Sequence, residues 1–250
     1  ISSMGNLDLR GFILMKKHII AHRGFAHLYP ENSLLAITKA LKLGIRFIEV
    51  DIQFCQDNIP VVLHDLSLSR TANQPINITQ TSWQVAQKAD LGAQQTLPSY
   101  EQLISLIKQW PDCFFFIELK EESLEQLDQN QLLNIISTLS HPIESQISFI
   151  CYDPKILTTL RQLSPNVPSG LILRKWDNTC LQQIERLKPE YVICNYQKIP
   201  QDITQLPYPN SQWAFYEVTD TKTAQHLLDL GASLIETMNP PSLLPTPCND

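Results

Sequence analysis

The sequence predicts an α/β domain of the TIM, or (β/α)8, barrel class, and three observations carry that prediction. Eight short apolar runs alternate with longer segments, most of which repeat their apolar residues at helical spacing. The 250 residues are 43% hydrophobic and only 18% charged, enough to bury a large core within the size range of one barrel. Strands alternating with helices imply right-handed crossovers and a parallel sheet, which eight such units close into a barrel.

In chain order, the first strand is HIIA (18–21), followed by the helix SLLAITKALKLG with Ser33 as N-cap and Gly44 as stop. RFIEVDI (46–52) is the second strand. About sixty residues then intervene, holding a further extended run, PVVLHD, and the polar segment TANQPINITQTS. This stretch is read as an excursion over the barrel's C-terminal mouth. Ser99 caps SYEQLISLIKQW ahead of the third strand, CFFFIEL (113–119), and SLEQLDQNQLLNIISTLS leads to QISFIC (146–151). Asp153 caps DPKILTTLRQLS before SGLILR (169–174), and NTCLQQIERLK precedes EYVIC (190–194). After WAFYEV (213–218), Asp220 caps TDTKTAQHLLDLG, which stops at Gly231 before ASLIE (232–236).

Composition removes several function classes. The formal charge is −6 with no lysine or arginine run, so a nucleic-acid partner is not expected. No run reaches the roughly 20 apolar residues of a membrane span, which argues against stable membrane insertion. Six scattered cysteines without a CxxC pair suit a reduced, cytoplasmic setting rather than a disulfide framework. Met15 is the expected start, with residues 1–14 an upstream extension and 15–250 one barrel domain.

Strand parity locates the chemistry. In FIEVDI, Glu49 and Asp51 share one face while Ile48, Val50 and Ile52 share the other, so the acids enter the barrel. Glu118 and Lys120 repeat that parity in FIELK, His22 and Arg23 end IIAHRG, and His64 ends PVVLH. Strand ends at the mouth are where this fold places catalytic groups. Three carboxylates gathered there would repel unless a cation sat among them, and an all-oxygen set suits one Mg²⁺ or Ca²⁺ ion. His22 and His64 are then free for proton transfer, and Arg23 and Lys120 suit a phosphate. The alternative for the charged set is structural ion pairing of Glu49 or Asp51 with Arg23 or Lys120, and of Lys120 with Glu118. Asp65 and Arg70 are expected to shape the excursion through side-chain hydrogen bonds.

The ordered motifs HRG (22–24), PEN (30–32), IEVD (48–51), QDN-x-x-V-x-x-HD (56–65), L-x-RT (68–71), LPSYEQL (97–103) and ELK (118–120) resemble the glycerophosphodiester phosphodiesterase family. The resemblance implies a barrel of the phospholipase C-like phosphodiesterase type, hydrolysing glycerophosphodiesters to sn-glycerol 3-phosphate and an alcohol. It implies His22 and His64 as the acid–base pair, Glu49, Asp51 and Glu118 as ligands of Mg²⁺ or Ca²⁺, and Arg23 and Lys120 as the phosphate clamp. Gly24 is expected to let the backbone turn close to the ligand. Two alternatives accompany it: a lysophospholipase D-like phosphodiesterase and a catalytically silent phosphodiester-binding module. The chain departs from the family pattern at Cys55 and Asn58, at Tyr216, Glu217, Val218 and Thr219, and at Thr237, Met238, Asn239 and Pro240.

Overall fold

A computed structural model describes residues 15–244; the expected leader at 1–14 and Cys248 lie outside the described residues. Eight strands appear where the apolar runs predict them. These are β1 (Ile19–His22), β2 (Phe47–Phe54), β3 (Phe114–Leu119), β4 (Ile147–Cys151), β5 (Ser169–Leu173), β6 (Tyr191–Asn195), β7 (Gln212–Tyr216) and β8 (Leu234–Thr237). All neighbours pair in parallel, and β1 bonds both β2 and β8, which closes the barrel.

The helices numbered here are those connecting the barrel strands: α1 (Leu34–Lys42), α2 (Tyr100–Ile107), α3 (Glu121–Gln126), α4 (Gln129–Ser140), α5 (Pro154–Leu163), α6 (Asn178–Leu187) and α7 (Thr221–Asp229). The four expected N-caps all accept a backbone N–H, and Ser99 with Gln102 forms a full capping box. Gly44 and Gly231 follow α1 and α7 at positive φ, as expected of stops. The segment read as one helix at 123–140 is divided between two. Asp128 accepts from Gln131 N and caps a fresh start, so α3 ends and α4 begins. Between β6 and β7 the described structure holds only a 3₁₀ turn (Tyr196–Lys198), and Pro200, Pro207 and Pro209 deny that stretch helical hydrogen bonds.

The period of two sorts side chains into an outer and an inner set. Outward residues such as Ile48, Val50, Phe115 and Ile117 join the core beneath the helices. Inward residues Ile20, Phe116, Ile150, Ile172, Ile193, Ala214 and Leu234 fill the barrel, with Phe47, Phe114 and Tyr191 below them. Phe116 meets Tyr191 edge-on at 4.9 Å and Phe114 at 5.5 Å, so this floor is a plug of interlocked rings. Polar groups occupy the next inward position of most strands.

Gly170 makes this filling possible. A Cβ on it would lie 2.7 Å from Ile150 Cγ2 and 2.8 Å from Ile193 Cδ1. Gly170→Ala is therefore expected to overpack the lumen and cost about 1–3 kcal/mol. A lower urea midpoint at unchanged m-value is the readout; an unchanged midpoint would mean that the lumen relaxes around the methyl group.

The excursion is more than a polar flap. It begins with a strand, Pro60–Val62, antiparallel to β2, and buries Cys55, Val61, Leu63, Leu68, Ile78 and Leu97 in a small core of its own. Asn58 adopts the left-handed conformation (φ 63°), which asparagine tolerates better than most residues.

Candidate functional site

β1 ends at His22 and the chain then takes two consecutive left-handed residues, Arg23 (φ 55°) and Gly24 (φ 78°). A non-glycine residue in that region carries strain held by its surroundings. Here Arg23 N donates to Glu49 Oε2 at 3.1 Å. The glycine's reason differs from the expected approach to a ligand. A Cβ on Gly24 would lie 2.6 Å from both Ala36 C and Ile37 N, so the backbone of α1 excludes any side chain there. The turn thus docks α1 and aims Arg23 at the mouth.

Six of the seven predicted residues, His22, Arg23, Glu49, His64, Glu118 and Lys120, line one cavity of about 320 Å³. Asp51 is fully buried; register sets it beside Glu118, and His22 beside Glu49. Asn32, part of the helix start in the sequence, holds Asp51: its Nδ2 donates to Oδ2 at 2.9 Å, and Asp51 N donates to Asn32 Oδ1 at 3.3 Å. Arg23 Nε lies 3.1 Å from Asp51 Oδ2, and its Nη1 donates to Glu31 Oε1 at 2.9 Å. Lys120 Nζ donates to Glu118 Oε1 at 2.8 Å and stands 3.7 Å from Asp51 Oδ1. The two cations therefore make the ion pairs that the alternative reading foresaw while still facing the cavity.

Strand parity also brings in residues that the motifs passed over. Glu236 on β8 is in phase with inward Leu234, and its Oε1 lies 3.4 Å from His22 Nε2. Asn195 and Tyr216 are in phase with Ile193 and Ala214 and line the far wall with Tyr152 and Glu217. Asn195 Nδ2 donates to Glu217 Oε2 at 2.7 Å, and the Tyr152 and Tyr216 hydroxyls are 3.3 Å apart. The rule that placed Glu49 and Asp51 was sufficient to find Glu236.

Four inner carboxylates share this site with two buried cations, while Lys198 stands exposed on the wall, and the proton affinities of the four show the imbalance. Burial, then Asp51 and Glu236, push Glu49 well above the usual carboxylate range. Burial and the Asp51 charge lift Glu118 to about 7 against the pull of Lys120. Glu236 is lifted to about 8 by burial and then Glu118. Asp51 goes the other way: burial raises it, but Arg23 and Lys120 outweigh burial and keep it ionised. Burial, aided by Arg23, pulls His22 down to about 3, so its ring is neutral.

Two buried carboxylate oxygens, Glu49 Oε1 and Asp51 Oδ1, have no hydrogen-bond partner. Orphaned acceptors beside acids of raised proton affinity make this cluster a candidate cation site. Among the described residues, two groups have ligating atoms within 4.8 Å of one another: Glu49, Asp51 and Glu118, and His22, Glu49 and Glu236. The first is all oxygen and fits a hard divalent ion. The second fits poorly, because a metal-bound imidazole donates its other N–H to a partner, and buried His22 Nδ1 has none.

His64 lies at the rim on the excursion. Gln53 Nε2 donates to its carbonyl at 2.9 Å, and its Nδ1 is 2.6 Å from Asp65 Oδ1.

Comparison with known proteins bears on the family and the fold. A family profile described as glycerophosphoryl diester phosphodiesterase matches residues 22–232. Glycerophosphodiester phosphodiesterase 1 of Bos taurus is 28% identical over 166 residues, covering 63% of this chain and 49% of that protein. The chain spans about half the length of the curated relatives it matches. The structure of an Oleispira antarctica phosphodiesterase in complex with the product sn-glycerol-3-phosphate superposes with a TM-score of 0.78 at 22% identity, covering 90% of this chain and 94% of that one. A glycerophosphodiester phosphodiesterase from Agrobacterium tumefaciens superposes at 0.74 and 17% identity, covering 91% and 98%. At these identities the two structures establish the shared barrel.

Proposed function

Since this chain belongs to the glycerophosphoryl diester phosphodiesterase family, we propose that it hydrolyses glycerophosphodiesters to sn-glycerol 3-phosphate and an alcohol. The observation that carries the proposal is the pair of orphaned oxygens, Glu49 Oε1 and Asp51 Oδ1, buried between a neutral histidine and two cations. Glu49, Asp51 and Glu118 would hold one Mg²⁺ or Ca²⁺. That ion, when bound, supplies positive charge to neutralise the diester and the charge that grows on it in the transition state.

The remaining chemistry falls to the chain's own side chains. Arg23 and Lys120 project beside the carboxylates and draw a phosphate into the cavity. Neutral His22 accepts the proton of the nucleophile, which is either water or the substrate's own glycerol hydroxyl; in the second case the alcohol leaves a cyclic phosphate that water then opens to glycerol 3-phosphate. His64, whose Nδ1 is held by Asp65, gives its proton to the leaving alkoxide as the P–O bond breaks. The Oleispira antarctica relative with sn-glycerol-3-phosphate bound supports this assignment of substrate class.

The direct test is release of glycerol 3-phosphate from glycerophosphocholine and glycerophosphoethanolamine, with Mg²⁺, with Ca²⁺ and with chelator. Turnover that chelator stops and a divalent ion restores is the expected result. Folded protein that releases nothing under any metal would overturn the proposal and leave the lysophospholipase D-like or silent-module alternatives. Among the described residues no helix is long and apolar enough to cross a membrane.

A further inference from the structure

A line of alternating charges runs over the rim of the cavity. His64 Nδ1 is 2.6 Å from Asp65 Oδ1, and Arg70 Nε donates to Asp65 Oδ2 at 2.7 Å. The two terminal nitrogens of Arg70 donate to the two carboxylate oxygens of Glu31, each at 2.7 Å, and Glu31 Oε1 in turn accepts from Arg23 Nη1 at 2.9 Å. We propose that Asp65 is the positioning residue of His64, and that Arg70 and Glu31 complete a strut locking this histidine to the loop that carries Arg23.

The physical case starts with the proton. Burial pushes Asp65 up, but its bonds to Arg70 and His64 prevail and hold it at about 2, so it is a carboxylate throughout the working range. An ionised carboxylate only accepts, hence the 2.6 Å contact requires the proton on His64 Nδ1. That leaves Nε2 as the nitrogen that exchanges a proton with substrate. A free imidazole would populate both tautomers and rotate about its χ angles; the carboxylate removes both freedoms.

Arg70 secures the carboxylate in turn. It is about half exposed, with a side-chain accessibility of 49%, and a lone surface ion pair of that kind contributes little. Here one planar guanidinium makes three hydrogen bonds to two carboxylates, and such a fork keeps its geometry where a lysine would not. The strut also explains why the excursion needs its own core. The segment carrying His64 is anchored below by apolar packing and above by Arg70, so histidine and arginine approach a phosphate from fixed positions on separate loops.

This inference rests on the proton-transfer role proposed for His64, and the experiment separates the two. In ¹⁵N/¹³C-histidine-labelled protein above the imidazole titration range, His64, assigned through His64→Gln, is expected to show the Nδ1–H tautomer. Asp65→Asn should convert it largely to the mixed or Nε2–H form. In the glycerol 3-phosphate assay Asp65→Asn should lower kcat about 10–100-fold with KM within about threefold, and Arg70→Lys should fall between it and wild type. A His64 tautomer unaffected by Asp65→Asn, or a kcat within twofold of wild type, overturns the strut. The tautomer readout does not depend on turnover, so an inactive wild type with the expected Nδ1–H signal counts against the reaction and not against the positioning.

Discussion

His22→Ala is expected to lower kcat for a glycerophosphodiester by roughly 10²–10⁴-fold, the range general acid–base catalysis supplies, with circular dichroism and melting temperature showing retained fold. His22 ends β1 facing Glu49 and Glu236, and burial keeps its ring neutral at working pH. A neutral imidazole is a proton acceptor, so the loss should be as large with an activated nitrophenyl leaving group as with an alcohol. His64→Ala gives the contrast. If His64 protonates the leaving group, its removal should matter far less when the leaving group is a nitrophenolate that departs without a proton. Near-normal kcat in His22→Ala would remove that residue from the mechanism, and equal leaving-group sensitivity in both variants would cancel the division of roles.

The second large effect concerns the divalent ion, whose removal should abolish turnover and also change how stability depends on pH. Glu118 and Glu236 rise from an ordinary 4.5 to about 7 and about 8 in the metal-free fold. Between pH 4.5 and 8 the folded chain therefore holds protons that the unfolded chain has already released. The folded state binds more protons, so the linkage slope is negative and this contribution destabilises increasingly as pH rises through that window. Below it both states are protonated and the penalty vanishes. A cation substitutes for those protons, so the melting-temperature gain from excess Mg²⁺ or Ca²⁺ should be small near pH 5 and large near pH 8. Thermal scans with chelator and with metal across that range provide the check. A gain that is flat with pH, or absent, would sink the carboxylate site.

Much of this arrangement was legible because it is local. The period of two in FIEVDI and FIELK placed Glu49, Asp51 and Glu118 on the inner face before any fold was known, and short polar caps marked the helix starts. Features that depend on distant chain segments were less visible. Gly24 looked like a ligand-approach glycine, whereas the α1 backbone packed on it sets the requirement. Glu236 carries in ASLIE the same parity signal as FIE, but it lies outside every motif of the resemblance. Arg23 and Lys120 were recognised as cations. Their pairing with Asp51 and Glu118 was already the alternative reading, whereas the bond from Arg23 to Glu31 emerges only in the fold.

The plug of Phe47, Phe114, Phe116 and Tyr191 has a consequence for traffic. With the lumen filled by rings from below, the site is a blind-ended cup with one opening. Diester, water, alcohol and glycerol phosphate must all use the same door. In the proposed reaction the phosphate product rests deepest, against Arg23 and Lys120, while the alcohol lies nearer the rim. Departure is then sequential, the alcohol first and the anion last, and the residence time of that anion becomes a ceiling on how often the cup can be refilled.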